Sequence, residues 1–231
     1  NPTIANVTTA SSGTYSVTVT AIMSGCISST GTVAVTVNQT PSVPIAGSNN
    51  PVCSGQTLSL TAGTITGATY SWSGPNVFTS VLQNPTITEV TNAASGTYLV
   101  MAIVNGCTSP AEIVTVIVNS LPDIIVTSAP AIICIGQSTE IIASGGATYI
   151  WLPGGQTTAS ITDNPTANTT YTVTGTNTNG CTNTNTVTVI VNPLPTIAAA
   201  TTSAAICNGQ NTILTASGGA TYIWSPGDML T

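Results

Sequence analysis

The chain has 231 residues, of which 3% are charged, with six acidic residues and no lysine, arginine or histidine. Because nucleic acid phosphates and anionic membrane surfaces are bound through lysine and arginine, this composition argues against both as partners. The apolar runs are also far too short for membrane insertion of this segment.

The acidic residues do not form a recognisable site. They are Glu89, Glu112, Asp123, Glu140, Asp163 and Asp228. They are spread along the chain without the clustered oxygens that calcium needs or the paired carboxylates of a glycoside hydrolase. Without histidine or lysine, neither a Ser-His-Asp nor a Cys-His arrangement can be assembled. We therefore expect no enzyme activity, no cofactor and no metal site.

The chain is built from a repeated unit. A motif that runs from a cysteine to a tryptophan occurs at residues 52–74, 133–154 and 206–227. A second motif, which runs from a tyrosine to a VxVxVN segment, ends at Asn38, Asn119 and Asn192. The order along the chain is therefore second half, whole, whole, first half, which is typical of a periodic array.

This order predicts four parts. They are a C-terminal half-module at residues 1–38 (the head half), complete modules at 39–119 (module 2) and 120–192 (module 3), and an N-terminal half-module at 193–231 (the tail half). Short proline-containing linkers follow each VxVxVN segment and predict semi-rigid connections.

The hydrophobic pattern predicts strands throughout. Apolar residues alternate with threonine and serine at period two, as at Tyr15, Val17 and Val19 in the head half and at Leu58 and Leu60 in module 2. Asn-Gly and Asn-Pro turn signals separate the runs. Short strands at this spacing predict an all-β chain of tandem immunoglobulin-like antiparallel β-sandwiches that form an elongated rod.

The motifs resemble a known family. The C-x-G-x-(S/T) segment, the Tyr-x-Trp strand, NPT, TYTVT, NGC and VNPLP are similar to the Ig-like and PKD-like tandem repeats of giant secreted surface proteins of Bacteroidota, most clearly at residues 133–195. The resemblance implies exported, extracellular modules of adhesins, gliding filaments or spacers. It names no ligand, since a fold shared so widely cannot supply one.

The cysteines recur once per motif, which favours disulfides in an oxidising compartment. They are Cys26, Cys53, Cys107, Cys134, Cys181 and Cys207. The simplest pairing is within modules, Cys53–Cys107 and Cys134–Cys181, with Cys26 and Cys207 pairing outside this stretch or between chains. In an immunoglobulin-type sandwich these positions lie at opposite ends, so a bridge between neighbouring modules, such as Cys53–Cys181, is the alternative.

The aromatic residues have two interpretations. The tryptophans are Trp72, Trp151 and Trp224. Each either fills the core from the third strand of its sandwich, strand C, or stacks on a sugar. The tyrosines that precede the sixth strand, strand F, are Tyr15, Tyr98 and Tyr171. Core packing or a tyrosine corner is the simpler interpretation for these residues.

The incomplete modules at the two ends predict an exposed apolar face on each half-sandwich. Either further chain completes each half, or the tail half of one copy completes the head half of the next by strand complementation. In the second case Cys207 would bond Cys26 of the neighbour. Both cases lead to a filament or rod.

One face of module 2 differs from its counterparts. Outward positions that carry serine or threonine elsewhere are apolar on strand F and on the last strand, strand G, at Leu99, Met101, Ile103, Ile113 and Ile117. We call these five residues the lateral patch and expect them to contact copies of the chain. Coverage by the module's own loop around Phe78 and Val81 is the alternative.

Three sequons, at Asn6, Asn38 and Asn168, are weak glycosylation candidates. The sequence as a whole predicts a structural repeat segment of an extracellular filament or surface adhesin, extended through disulfide-stapled modules, whose partners are copies of itself. The alternative is a carbohydrate- or ligand-binding accessory module of a secreted multidomain protein, with surface glycans as the partner.

Overall fold

The computed structural model describes residues 1–225 and 229–230, so Asp228 lies outside the described residues. The chain divides into two compact units, Asn1–Leu121 and Pro122–Thr231. The fold is almost entirely β, with immunoglobulin-like β-sandwiches as the sequence predicts. The finer division into four parts stays a prediction.

The head half contributes two paired strands. A 3₁₀ turn at Thr9–Ser11 precedes β1 (Gly13–Val17), which pairs antiparallel with β2 (Gly31–Val35). Tyr15 lies opposite Val33 in this register. All residues of both strands are exposed, so this hairpin has no core of its own.

Module 2 forms a two-layer sandwich. Its strands are β3 (Ala46–Ser48), β4 (Val52–Cys53), β5 (Leu58–Ala62), β6 (Thr69–Gly74), β7 (Phe78–Ser80), β8 (Thr86–Ile87), β9 (Gly96–Val104), β10 (Cys107–Thr108), β11 (Glu112–Val116) and β12 (Val118–Asn119). One sheet has the order β3-β5-β8, and the other runs β7-β6-β9 with β10 and β11 both paired to β9. The short strands β4 and β12 pair in parallel.

The core of module 2 lies between these sheets. Leu58 and Leu60 from one sheet pack with Trp72, Tyr98 and Val100 from the other, and all five are fully buried. The period-two pattern places these residues on one face of each strand, because successive side chains of a strand point to opposite faces. Trp72 is therefore a core residue, which confirms that interpretation and excludes sugar stacking for it.

Module 3 repeats the arrangement. Its strands are β13 (Ile125–Ala129), β14 (Ile132–Cys134), β15 (Thr139–Ser144), β16 (Thr148–Leu152), β17 (Ser160–Asp163), β18 (Thr169–Thr176) and β19 (Thr182–Asn192). The sheets are β13-β15-β17 and β16-β18-β19-β14. Trp151 is fully buried and its indole N–H donates to the Thr158 carbonyl oxygen at 2.8 Å, which confirms a second core tryptophan.

The tail half forms two small sheets within its described residues. Its strands are β20 (Ala198–Thr201), β21 (Leu214–Ser217), β22 (Ile223–Trp224) and β23 (Met229–Leu230). β20 pairs with β21, and β22 pairs with β23. The sequence repeat makes β20, β21 and β22 the counterparts of β13, β15 and β16.

A tyrosine corner is present at two of the three copies of strand F. The Tyr98 hydroxyl donates to the Ala94 carbonyl oxygen at 2.9 Å, and the Tyr15 hydroxyl donates to the Ser11 carbonyl oxygen at 2.7 Å. Each acceptor lies in or at the end of a 3₁₀ turn, so the predicted corner is confirmed for both. Tyr171 instead donates to Asp163 Oδ2 at 2.7 Å.

These tyrosines predict loss of stability in alkali. Burial raises the pKa of the Tyr98 phenol above its usual value of 10.0. Burial, and then the hydrogen bond and the negative charge of Asp163, raise the pKa of the Tyr171 phenol. The unfolded chain therefore releases these protons at lower pH than the folded chain does, so we expect the free energy of unfolding to fall as the pH rises above about 10. Urea unfolding at a series of pH values from neutral to strongly alkaline measures this dependence of the free energy of unfolding on pH.

The control is the double variant Tyr98→Phe/Tyr171→Phe. At neutral pH it should be less stable by about 1 kcal/mol per lost hydrogen bond, and its free energy of unfolding should fall less steeply with pH. An unchanged slope in this variant would contradict the assignment.

Candidate functional site

The head half presents an apolar face without a covering sheet. Val17 is 65% exposed, whereas its counterparts Val100 and Val173 are 0% exposed in the complete modules. An open cavity of about 520 Å³ lies over this face and is lined in part by Tyr15, Val17 and Val33. This face therefore carries core side chains without the opposite sheet of a sandwich.

The tail half presents the complementary face. Leu214 is 47% exposed, whereas its counterparts Leu60 and Ile141 are 1% and 0% exposed. Ile197 is 63% exposed, against 3% for its counterpart Ile124. These positions belong to the sheet that the head half lacks.

An open cavity of about 280 Å³ lies on the tail half. Its lining includes Ile197, Tyr222 and Trp224. Both aromatic residues are half-buried, whereas the corresponding tyrosines and tryptophans of the complete modules are buried. The cavity therefore occupies the place of the sandwich core.

One strand pair of the complete modules has no counterpart in the halves. In module 3, Ile133 pairs with Val191 and Cys134 with Asn192 in parallel register. In module 2, Asn119 pairs with Cys53 in the same way. The tail half holds the equivalent of the first strand at residues 205–207 and the head half holds the equivalent of the second at 36–38, and neither segment is a strand.

The cysteines differ from the predicted pairing. Cys53 and Cys181 are disulfide-bonded. The other four are free thiols: Cys26, Cys107, Cys134 and Cys207. The two within-module pairs, Cys53–Cys107 and Cys134–Cys181, are therefore wrong, because Cys107 and Cys134 are not bonded.

The length of strand G explains why the within-module pairs do not form. Cys134 pairs with Asn192 at the end of β19, whereas Cys181 immediately precedes the start of this strand at Thr182. An eleven-residue strand spans about 35 Å at the usual rise of β-structure. A disulfide needs Cα atoms about 4.4–6.8 Å apart, so the two cysteines of one module cannot meet.

The lateral patch lies on neighbouring strands. Leu99 on β9 is directly opposite Ile113 on β11, and both are exposed, as is Ile117. Met101 and Ile103 follow on β9 and are half-buried. Phe78 packs edge-on against Tyr98, with ring centroids 5.6 Å apart, and Val81 is exposed. The patch as an interface stays a prediction.

All three sequon asparagines are exposed, and two of them make hydrogen bonds. Asn38 Nδ2 donates to the Asn105 carbonyl oxygen at 3.1 Å, and Asn168 Oδ1 accepts from the Val191 N–H at 2.8 Å. Asn6 has a left-handed backbone conformation, with φ of 53°. An N-linked glycan is attached through Nδ2, so it would replace one N–H of Asn38 but would leave Asn168 Oδ1 as an acceptor. Glycosylation stays a weak prediction.

Within residues 1–225 and 229–230, no group of three His, Cys, Asp or Glu side chains is placed to hold a metal ion. No helix among the described residues is long and apolar enough to span a membrane. Asp163, to which sequence reasoning assigned no role, is the acceptor for Tyr171.

Comparison with known proteins supports an Ig-like repeat. Residues 41–120 match the family described as "Ig-like domain CHU_C associated". No curated protein sequence matches the chain significantly.

Solved structures are also similar to this chain. One is a mouse coronavirus receptor-binding domain complexed with its murine receptor, at 10% identity, with 64% of this chain and 99% of that chain covered and a TM-score of 0.36. Murine CEACAM1b matches at 12% identity, with 64% and 99% covered and a TM-score of 0.32. The amphioxus IgVJ-C2 molecule matches at 16% identity, with 59% and 97% covered and a TM-score of 0.26.

The tryptophans allow the core and sugar-stacking interpretations to be separated in solution. We expect the Trp224→Phe variant to retain only shielded tryptophans, so its fluorescence should resist quenching by acrylamide, because Trp72 and Trp151 are buried. The matched control is Tyr222→Phe, which alters a neighbouring aromatic side chain, keeps all three tryptophans and, as a dilute single chain, should keep the quenchable component. A change in emission of the Trp224→Phe variant on adding glycans would contradict the core assignment of Trp72 and Trp151.

Proposed function

We propose that this chain is a structural segment of an extracellular filament or surface adhesin, in which Ig-like modules joined by disulfides form an extended shaft. The observation that carries the proposal is the pair of complementary half-sandwiches. The head half exposes core side chains of strands F and G, and the tail half exposes those of the opposite sheet and of strand C. Each half supplies the strands that the other lacks.

The occupant of the head-half face is the tail half of a second copy. In such a composite module, residues 205–207 pair in parallel with residues 36–38, as β4 pairs with β12 and β14 with β19 in the complete modules. Val17 and Leu214 then become core residues, and burying a side chain of this kind stabilises by about 1.5–3 kcal/mol. Repeating the contact gives a head-to-tail fibre.

The surface chemistry supports an extracellular location. The chain has no lysine or arginine, and therefore no site for trypsin-like proteases, and its polar residues are mainly threonine, serine and asparagine. Two of its cysteines are disulfide-bonded, which is the state favoured by oxidising compartments. These properties suit a long-lived surface structure.

The second candidate is a ligand-binding accessory module. The tail-half cavity favours it, because Tyr222 and Trp224 line a space of about 280 Å³ and aromatic rings can stack on sugars. The same cavity occupies the position of a module core, so the first proposal accounts for it without a ligand. Protection of Trp224 by a glycan, without self-association, would favour this second function.

The fibre proposal predicts how chains behave when one of the two half-sandwich faces is disabled by a charge. Val17→Asp places a charge on the head-half face and Leu214→Asp places one on the tail-half face. Because an unpaired buried charge costs several kcal/mol, each variant alone should lose head-to-tail association more than about 100-fold and stay monomeric in reducing buffer. An equal mixture should stop at a dimer, formed by the intact tail half of one variant and the intact head half of the other. Sedimentation velocity measures all three samples.

Thr14→Asp is the matched control, since Thr14 lies on the same strand as Val17 and points to the opposite face. This variant should assemble like the original chain. If the original chain stays monomeric across the concentration range, or if the two blocked variants do not combine, head-to-tail complementation is wrong.

The lateral patch is the proposed contact between neighbouring shafts. An apolar patch is covered best by another apolar surface. Module 3 has threonine at the corresponding positions of strand F, namely Thr172, Thr174 and Thr176, so it offers no such surface there. The same patch on a second copy does. Such an isologous contact joins two shafts side by side.

We expect Met101→Thr/Ile103→Thr to reduce the width of fibre bundles in negative-stain electron microscopy while fibres still form. Threonine is a good strand residue and these positions are only half-buried, so the free energy of unfolding should fall by no more than about 1 kcal/mol. Thr174→Ser/Thr176→Ser in module 3 is the control and should change neither property. Unchanged bundling in the Met101/Ile103 variant would show that the patch is not the lateral contact.

A further inference from the structure

One residue of the lateral patch differs in chemistry from the other four. Leu99, Ile103, Ile113 and Ile117 are aliphatic, whereas Met101 carries a thioether. A thioether sulfur is oxidised reversibly to a sulfoxide, and this change converts a flexible apolar side chain into a polar one. An apolar contact that contains methionine can therefore be switched by an oxidant.

Met101 lies in the middle of the strand-F part of the patch. Leu99, Met101 and Ile103 occupy alternate positions of β9, so they face the same side of the sheet. Met101 is half-buried in the single chain, which leaves its side chain accessible to a small oxidant. An apolar surface laid over the patch would cover Met101 together with its two neighbours.

Strand G is interrupted beside Met101. The strand β11 pairs with β9 only as far as Val100, and β10 pairs with it from Ile103 onward. Between these two ladders the Ala102 N–H donates to Ser109 Oγ at 2.9 Å, and the Ala102 carbonyl oxygen accepts from the Ser109 N–H at 2.8 Å. Within the described part of the chain, Met101 therefore has no strand-G residue in register beside it.

This interruption distinguishes module 2 from module 3. The counterpart of Met101 in module 3 is Thr174, which lies opposite Thr184 on the continuous strand β19. Methionine is unbranched and flexible, so it fits an irregular place in a sheet better than a β-branched residue does. The side of Met101 that faces strand G is open to a partner surface and to an oxidant.

The strand on the other side of β9 supplies hydroxyl groups. Ser71 of β6 lies directly opposite Met101, and Ser73 lies opposite Leu99. Side chains that are directly opposite in an antiparallel pair are neighbours on one face of the sheet. The Ser71 hydroxyl is therefore placed to donate to a sulfoxide oxygen on Met101, and the oxidised single chain should stay folded. In a contact between two copies the same sulfoxide would face an apolar surface.

We propose that Met101 is an oxidation site that controls the lateral contact between copies of the chain. The thioether belongs to the apolar contact, and the sulfoxide opposes it. The inference rests on the lateral contact of the proposed function and does not depend on how the half-modules are completed. In an isologous contact each copy contributes its own Met101, so one modification per chain acts twice at the interface.

The chemical step is a two-electron oxidation by a peroxide. The Met101 sulfur attacks one oxygen of hydrogen peroxide, the S–O bond forms as the O–O bond breaks, and the departing hydroxide takes a proton and leaves as water. The sulfur is oxidised and the peroxide is reduced. A methionine sulfoxide reductase with a dithiol reverses the step, because the dithiol is oxidised to a disulfide and the sulfoxide oxygen leaves as water.

The first test asks whether association protects Met101. Every sample carries Val17→Asp/Leu214→Asp, so that head-to-tail pairing is blocked, and the free thiols are first alkylated with iodoacetamide. The chain is exposed briefly to hydrogen peroxide at low and at high protein concentration, digested with pepsin and analysed by mass spectrometry. We expect the rate of sulfoxide formation at Met101 to fall in proportion to the fraction of associated chains. Met23, which is fully exposed and lies outside the patch, should react at the same rate in both samples.

The second test asks whether oxidation separates the copies. Peroxide should weaken the self-association measured by sedimentation velocity at least about tenfold, because the contact then buries an unpaired polar group, and sulfoxide reductases should restore it. Met101→Leu keeps an apolar side chain of similar volume that peroxide does not oxidise, so this variant should associate normally and resist peroxide. The matched control, Met23→Leu/Met229→Leu, keeps Met101 and should remain sensitive.

The outcomes separate this inference from the proposed function. Self-association that peroxide leaves unchanged, or weakens equally in the Met101→Leu variant, would overturn the oxidation switch and leave the lateral contact standing. Loss of the β-sheet circular dichroism signal on oxidation of Met101 would show that the sulfoxide acts on the fold and not on the contact. A chain that does not self-associate, or whose association survives Met101→Thr/Ile103→Thr unchanged, would overturn the lateral contact and this inference with it.

Discussion

The structure depends on burying one aromatic cluster between two sheets. In module 2, Trp72 and Tyr98 lie on one sheet and Leu58 and Leu60 lie on the other. Each side chain is buried from water because the opposite sheet covers it. With no lysine, arginine or histidine side chain, the chain cannot form salt bridges between side chains. Apolar burial, hydrogen bonds and disulfides must therefore hold each sandwich together, and a sandwich without one sheet leaves its core side chains in water.

Amide and hydroxyl side chains take the positions that charged groups occupy in other proteins. Gln56 accepts a hydrogen bond from the backbone N–H of Cys53, and Gln137 accepts one from that of Cys134, at 2.9 Å in both modules. In module 3, Asn183 and Asn185 donate to the carbonyl oxygens of Pro122 and Ile124 and so attach the start of the module to β19. Neutral hydrogen bonds of this kind are insensitive to salt, which suits a surface exposed to varying media.

The sequence predicts which side chains are buried, because burial follows the periodicity of the strands. It does not predict hydrogen-bond partners that lie in the connections between strands. The alternation around Trp72, Trp151 and Tyr98 fixes which face is buried, and these core assignments are confirmed. The hydrogen-bond partner of Tyr171 could not be predicted in this way. The connection before Tyr98 forms a 3₁₀ turn at Asn92–Ala94 that supplies its acceptor, whereas Tyr171 uses the side chain of Asp163.

The disulfides show the same limit more clearly. Spacing along the chain relates Cys134 to Cys181 as two cysteines of one module, but it does not say that β19 separates them by its whole length. The parallel register that places Cys134 beside Asn192 shows this separation, and it cannot be read from spacing alone. The exposed faces of the head and tail halves were predictable, because the order of the repeats requires them.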